Sequence, residues 1–136
     1  MKKFSGFAVD TNILFYAIDK ESEKHQEALD FLKRENKKDA AIPLRALSEC
    51  YSLALNRNKV ESDGAAEFLH DLKHDPNFET ISPDKKALNK SLGVKKDFWD
   101  KLIEQTALQN DYEVIYTENT SDFEEVEAIN PLKEKE

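Results

Sequence analysis

The apolar residues of this chain fall into short continuous runs separated by longer stretches with helical spacing. Phe7-Ala8-Val9 is one such run; it stops at Asp10, and behind it Ile13, Leu14, Ala17 and Ile18 recur at helical intervals. Ser22 with Gln26 opens a second helical pattern carrying Ala28, Leu29, Phe31 and Leu32. A second strand is expected at residues 39–42, with Pro43 suited to end it and to enter a helix at its first turn. That helix extends from Leu44 to Arg57, with Leu47, Cys50, Tyr51, Ala54 and Leu55 as its apolar positions. Ser62 or Asp63 caps the next helix, which carries Ala66, Leu69 and Leu72 and breaks at Asp75-Pro76-Asn77.

Phe78-Glu79-Thr80-Ile81 alternates apolar and polar residues and predicts a third strand. Ser82-Pro83-Asp84 then opens a short helix around Ala87 and Leu88 that Gly93 stops. Asp97 to Gln109 has the clearest helical period, because Trp99, Leu102, Ile103, Thr106 and Ala107 share one face. Asp97 is read as the N-cap of this helix, and Asp100 lies at the border of its apolar stripe. Val114 to Thr117 predicts a further strand, and residues 131–136 a frayed tail. Strands alternating with crossovers long enough for helices predict an α/β fold, a three-layer sandwich whose central, mostly parallel sheet is flanked by helices.

The 136 residues fit one domain, with its core at about residues 7–130. A content of 39% hydrophobic residues supports a packed interior, and three Gly and four Pro favour short loops. The formal net charge of −8 argues against a broad basic surface for DNA, so sequence-specific DNA binding by this chain alone is not expected. Cys50 is the single cysteine, which rules out an internal disulfide and a paired-cysteine metal site; a small buried hydrophobe is its expected role. With no secretory signal and no stretch near the roughly 18 apolar residues of a membrane span, a soluble cytoplasmic protein is expected.

The candidate chemistry lies in acids placed after strands or beside the core. Asp10 follows the first strand, Glu49 and Asp100 ride on helices, and Asp122 with Asn119 follows the last predicted strand. Each has a plain structural explanation when taken alone: a helix cap for Asp10, a solvated helix position for Glu49, an Asx turn for Asn119 and Asp122. Together they place carboxylates where open α/β sheets build their sites, outside the carboxyl ends of the strands. Clustered carboxylates repel one another, so they need a cation, such as a divalent metal, or must partly protonate.

These residues carry a resemblance. Val9-Asp10-Thr11-Asn12, Leu47-Ser48-Glu49, Phe98-Trp99-Asp100-Lys101-Leu102-Ile103 with Ala107, and Val114 to Asn119 followed by Asp122-Phe123 resemble, in order and spacing, the PIN-domain proteins that serve as toxins of VapBC-type toxin–antitoxin pairs. The likeness covers residues 7–123. It implies a metal-dependent endoribonuclease that hydrolyses RNA phosphodiesters, with Asp10, Glu49, Asp100 and a fourth group holding Mg²⁺ or Mn²⁺. Many members carry Asp where this chain has Asn119, so Asp122 is the preferred fourth acid and Asn119 the alternative. Thr11, Asn12, Thr117 and Asn119 are expected to orient these ligands.

Arg45, Lys95, Lys96 and Lys101 are the candidate cations beside them for an RNA phosphate. The resemblance further implies an antitoxin partner and a homodimer. Leu14, Phe15, Tyr16 and the Ala28 to Leu32 segment offer apolar surface for either, with core packing their favoured role. A different class of function is a catalytically silent module of the same fold that meets a basic partner with its acidic groove. A receiver-type phospho-acceptor would need paired acids near the first strand and a Lys after a late one, and neither is clear here.

Overall fold

Period-two alternation in three very short strands builds two cores at once. A computed structural model describes residues 6–35, 40–56, 62–75, 78–93 and 97–132. In β1 (Phe7–Val9), Phe7 and Val9 face one side of the sheet while Ala8 faces the other. In β2 (Ala40–Pro43), Ala40 and Ile42 join the first side and Ala41 the second. Strands covered on both faces need no polar alternation, which is why these runs are continuously apolar.

The remaining strands are β3 (Phe78–Ile81), β4 (Val114–Tyr116) and β5 (Glu127–Ile129). Their spatial order is β3-β2-β1-β4-β5, and every neighbouring pair is parallel. The helices are α1 (Thr11–Ile18), α2 (His25–Glu35), α3 (Leu44–Asn56), α4 (Ser62–His74), α5 (Lys85–Ser91) and α6 (Phe98–Gln109). Among the described residues, none is long and apolar enough to cross a membrane. The larger core unites Phe7 and Val9 with Ile13, Leu14, Phe31, Cys50, Ala65 and Leu72, and so draws α1 to α4 onto one face. The opposite core joins Ala8, Ala41 and Ile115 to Ile103 and Ala107 of α6, with Phe123 and Val126. This is the three-layer α/β sandwich expected from the sequence.

From β1 the chain builds outward through β2 to β3 and then returns to the other side of β1 to lay down β4. The carboxyl ends of β1 and β4 therefore form a topological switch point, where a crevice opens because the connections leave in opposite directions. Register brings Val9 beside Tyr116, so the next residues, Asp10 and Thr117, are neighbours at the crevice floor.

Several expectations need correction. β5 was not read from the sequence; it pairs with β4, and Leu132, in the segment expected to fray, is buried in the larger core. Trp99 leaves the buried stripe of α6 and is 49% exposed, whereas Glu104 and Gln105, outside the expected stripe, are buried. Leu14, Phe15, Ala28, Phe31 and Leu32 belong to the core and offer no docking surface, and the Tyr16 hydroxyl donates to Glu118 at 2.7 Å. The second strand begins at Ala40, and Pro43 closes it in register with Ile81. Asp84 caps α5 through the Ala87 amide at 3.0 Å, and Gly93 takes a positive φ of 95° just after that helix. The expected caps at Ser62 or Asp63 rest on side chains outside the described ones.

Glu104 explains how so polar a segment as Glu124-Glu125 packs beside the sheet. Its carboxylate is 1% exposed, and its Oε2 accepts from the backbone amides of Glu124, Glu125 and Val126 at 2.8, 2.6 and 3.1 Å. Lys101 lies 3.4 Å from the other oxygen. Three amides and an ammonium compensate the buried charge, and the turn they fix leads directly into β5. Glu104→Ala, which strands three buried amides, is expected to cost roughly 3 kcal/mol or more in urea unfolding, and Glu104→Gln, which keeps an acceptor oxygen, distinctly less.

Candidate active site

Asp10 is built into the crevice floor by the ends of two strands. It is 5% exposed; one carboxylate oxygen accepts from the Thr11 amide at 2.7 Å and the other from the Thr117 hydroxyl at 2.8 Å. The Asp10 amide in turn donates to the Tyr116 carbonyl at 3.0 Å, continuing the ladder one residue past the strand. Burial raises the pKa of Asp10, the hydrogen bonds from Thr117 and Thr11 oppose that rise, and the charges of Glu49 and Asp122 add to it.

Around this anchor, Asn12 donates to the Thr117 hydroxyl at 3.4 Å and accepts from the Glu118 amide at 3.3 Å. The Asn119 amide also donates to Thr117, at 3.0 Å. Thr11 uses its hydroxyl to reach Glu49 on α3, at 3.1 Å. Two consecutive residues, Asp10 and Thr11, thus connect β1, β4 and α3.

Three further carboxylates gather at the start of α6. Asp97, Asp100 and Asp122 each bring an oxygen to within 4.8 Å of the others. Asp122 arrives on a 3-10 turn over Thr120–Asp122, whereas Asn119 stays exposed ahead of it. Asp100 is pushed up to about 7, first by burial, then by the charges of Asp10, Asp122 and Asp97 and by a hydrogen bond to Asp122. Of the four acids singled out from the sequence, Asp100 and Asp122 join this close group, while Asp10 is linked by charge to Asp100, Asp122 and Glu49 and does not enter it, nor does Glu49.

Asp97 was missed as a member of this group because the sequence marks it as a helix cap. It does occupy the N-cap position, but its backbone is left-handed, with φ 62° and ψ 29°, and its side chain makes no capping hydrogen bond. An extended N-cap aims its side chain at the first-turn amides, and the left-handed turn aims this one at Asp100 and Asp122. A positive φ at a non-glycine residue is the local signal, and it is not written in the residue pattern.

Other charged groups are committed elsewhere. Burial would raise the pKa of Glu118, but hydrogen bonds from Lys24 and Tyr16, with the Lys24 charge, more than offset this and hold it below the ordinary value. Lys101, expected near the acids, pairs with Glu104 and Glu125 instead. Arg45 does lie at the site, 3.8 Å from Glu49, while Lys95 and Lys96 fall outside the described residues. Cys50 is fully buried, and burial followed by the Glu49 charge pushes its thiol up to about 12, so it stays protonated.

Crowded acids should make the metal-free protein sensitive to pH. Asp100 holds its proton to about 7 when folded, against an ordinary value of 3.8, so the folded state binds more protons between those limits. Stability without metal should therefore fall as pH rises from about 4 to about 7 and level off above that, and the melting temperature in EDTA should follow. Asp100→Asn is expected to flatten this slope, and Mg²⁺ to reduce it.

A PIN domain family profile matches residues 7–129. Among solved structures, the chain is similar to VapC20 of Mycobacterium tuberculosis, described as a sarcin–ricin loop cleaving toxin. The TM-score is 0.70 at 12% identity, covering 88% of this chain and 98% of that one. It is also similar to a chain of a toxin–antitoxin complex from Klebsiella pneumoniae, with TM-score 0.65, 22% identity and coverage of 91% and 96%. A third likeness is to VapBC2 from Rickettsia felis bound to a DNA fragment from its promoter, with TM-score 0.63, 18% identity and coverage of 91% and 97%. No curated protein matches the chain. With the profile spanning both cores and every acid of the crevice, the chain belongs to the PIN domain family.

Proposed function

We propose that this protein is a divalent-metal-dependent endoribonuclease, the toxin of a VapBC-type toxin–antitoxin pair. The observation that supports this reading is the acidic group at the β1/β4 switch point of a PIN domain, where Asp97, Asp100 and Asp122 converge and the charges of Glu49 and Asp122 bear on Asp10. The donor set fits a hard divalent ion, because every group is a carboxylate oxygen and their mutual repulsion is relieved by a cation. Asp10, Glu49, Asp100 and Asp122 would hold Mg²⁺ or Mn²⁺, with Asp97 beside them.

When bound, such an ion lowers the pKa of water and stabilises charge developing on a phosphodiester. The chain's own contribution is to fix the donors in advance. Thr117 and Thr11 hold Asp10 in one orientation, the Thr11 hydroxyl holds Glu49, and Asn12 and Asn119 hold the Thr117 hydroxyl. The likeness to structures described as toxin–antitoxin complexes supports an antitoxin as a partner, its basic group meeting the acids.

Cleavage of mixed single-stranded and structured RNAs in Mg²⁺, Mn²⁺ or EDTA tests the reading. Wild type should cut only with metal, and Asp10→Asn, folded by circular dichroism, should lose about 100-fold or more in rate. Inert wild-type protein with every ion, or equal cutting by both proteins, would leave the silent binding module as the better account.

A further inference from the structure

Arg45 and Trp99 stand at the rim of the crevice in an arrangement that the acids alone do not explain. Arg45 lies in the first turn of α3, four residues before Glu49, and Trp99 in the first turn of α6, immediately before Asp100. The Arg45 guanidinium carbon sits 3.8 Å from the Trp99 ring centroid, a close cation–π stack that ties the two acid-bearing helices together. Trp99 is nevertheless 49% exposed, and Phe98 meets it edge-on at 5.0 Å.

A purely structural Arg would complete its hydrogen bonds. Arg45 does not: its approach to Glu49 is 3.8 Å, beyond hydrogen-bond length, and its buried Nε has no hydrogen-bond partner among the described residues. The stack thus holds a planar, permanently charged fork in place while leaving donors unused. Among the described residues, Lys24 is drawn to Glu118 and Lys101 to Glu104 and Glu125, so neither offers the crevice an open cation. In a chain of net charge −8, Arg45 is well placed to meet an incoming phosphate.

We propose that Arg45 and Trp99 form a substrate grip for single-stranded RNA, resting on the ribonuclease reading above. The Arg45 guanidinium takes the oxygens of a phosphate next to the one being cut, and the exposed part of the Trp99 indole stacks an unpaired base beside it. A base locked in a duplex has no free face to offer, so the grip favours loops and single strands.

Trp99 is the only tryptophan in the chain, so fluorescence excited on the long-wavelength edge, where its four tyrosines do not absorb, reports this site alone. The Asp10→Asn protein in Mg²⁺, which should not cut, is titrated with a single-stranded oligoribonucleotide of about eight nucleotides and with the duplex of the same sequence. The single strand should quench Trp99 and the duplex should not. In cleavage by otherwise wild-type protein, Arg45→Ala and Trp99→Leu should each raise KM about tenfold with kcat changed less than about threefold. Trp99→Phe should recover most of the loss, and Arg45→Lys little, because a lysine cannot stack and fork together.

Unchanged KM in folded Arg45→Ala and Trp99→Leu, with wild type cutting normally, overturns the grip and leaves the ribonuclease standing. Quenching by a lysine- and arginine-rich peptide but not by RNA overturns it in favour of a partner-binding surface. Quenching by single-stranded RNA when wild type never cuts supports the grip and removes the ribonuclease reading.

Discussion

A hydroxyl–carboxylate bond across the central strands, from Thr117 to Asp10, ties the sheet to its site. It forms because β1 and β4 run parallel in a register that makes the residues after Val9 and Tyr116 neighbours. The same Thr117 oxygen accepts from Asn12 and from the Asn119 amide, so one buried side chain orients the starts of both departing connections. Burying Asp10 is costly unless such partners are present, and their presence fixes where its remaining lone pairs point. Asp10 is thereby anchored to the ends of the two central strands rather than to a loop.

Crowding governs what happens next. Burial first, and then the charges of Asp10, Asp122 and Asp97, raise Asp100 to about 7, so each added acid makes its neighbours harder still to ionise. At the crevice mouth solvent still reaches Asp97, while at its floor Asp10 is buried and held by two hydrogen bonds. Glu104, the most deeply buried acid among the described residues, has three amides for company. The two treatments of buried charge separate groups arranged to receive a ligand from groups arranged to hold the chain.

Much of this was legible in the residue pattern, because the central strands are covered on both faces and so are apolar without interruption. Asp10 stood out for ending such a run, and Asp100 for lying beside a helical stripe. What the pattern concealed depends on contacts between distant segments. β5 is three residues long and follows two glutamates, and its lead-in turn is set by Glu104, some twenty residues earlier in the chain. Trp99 matches the helical period, yet it lies in the first turn of α6, where the neighbour it meets is Arg45. Asp97 reads as a cap by position, and only its left-handed backbone redirects it.

The attachment of Glu104 to residues 124–126 has a mechanical consequence. Glu104 is one helical turn beyond Asp100 on α6, and the segment it grips begins two residues after Asp122. The carboxylates of Asp100 and Asp122 are therefore mounted on one bracket, their spacing set by the pitch of a helix and a three-amide clasp. The position of Asp122 relative to Asp100 thus depends on this clasp, whereas that of Asp10 depends on the separate bonds from Thr11 and Thr117.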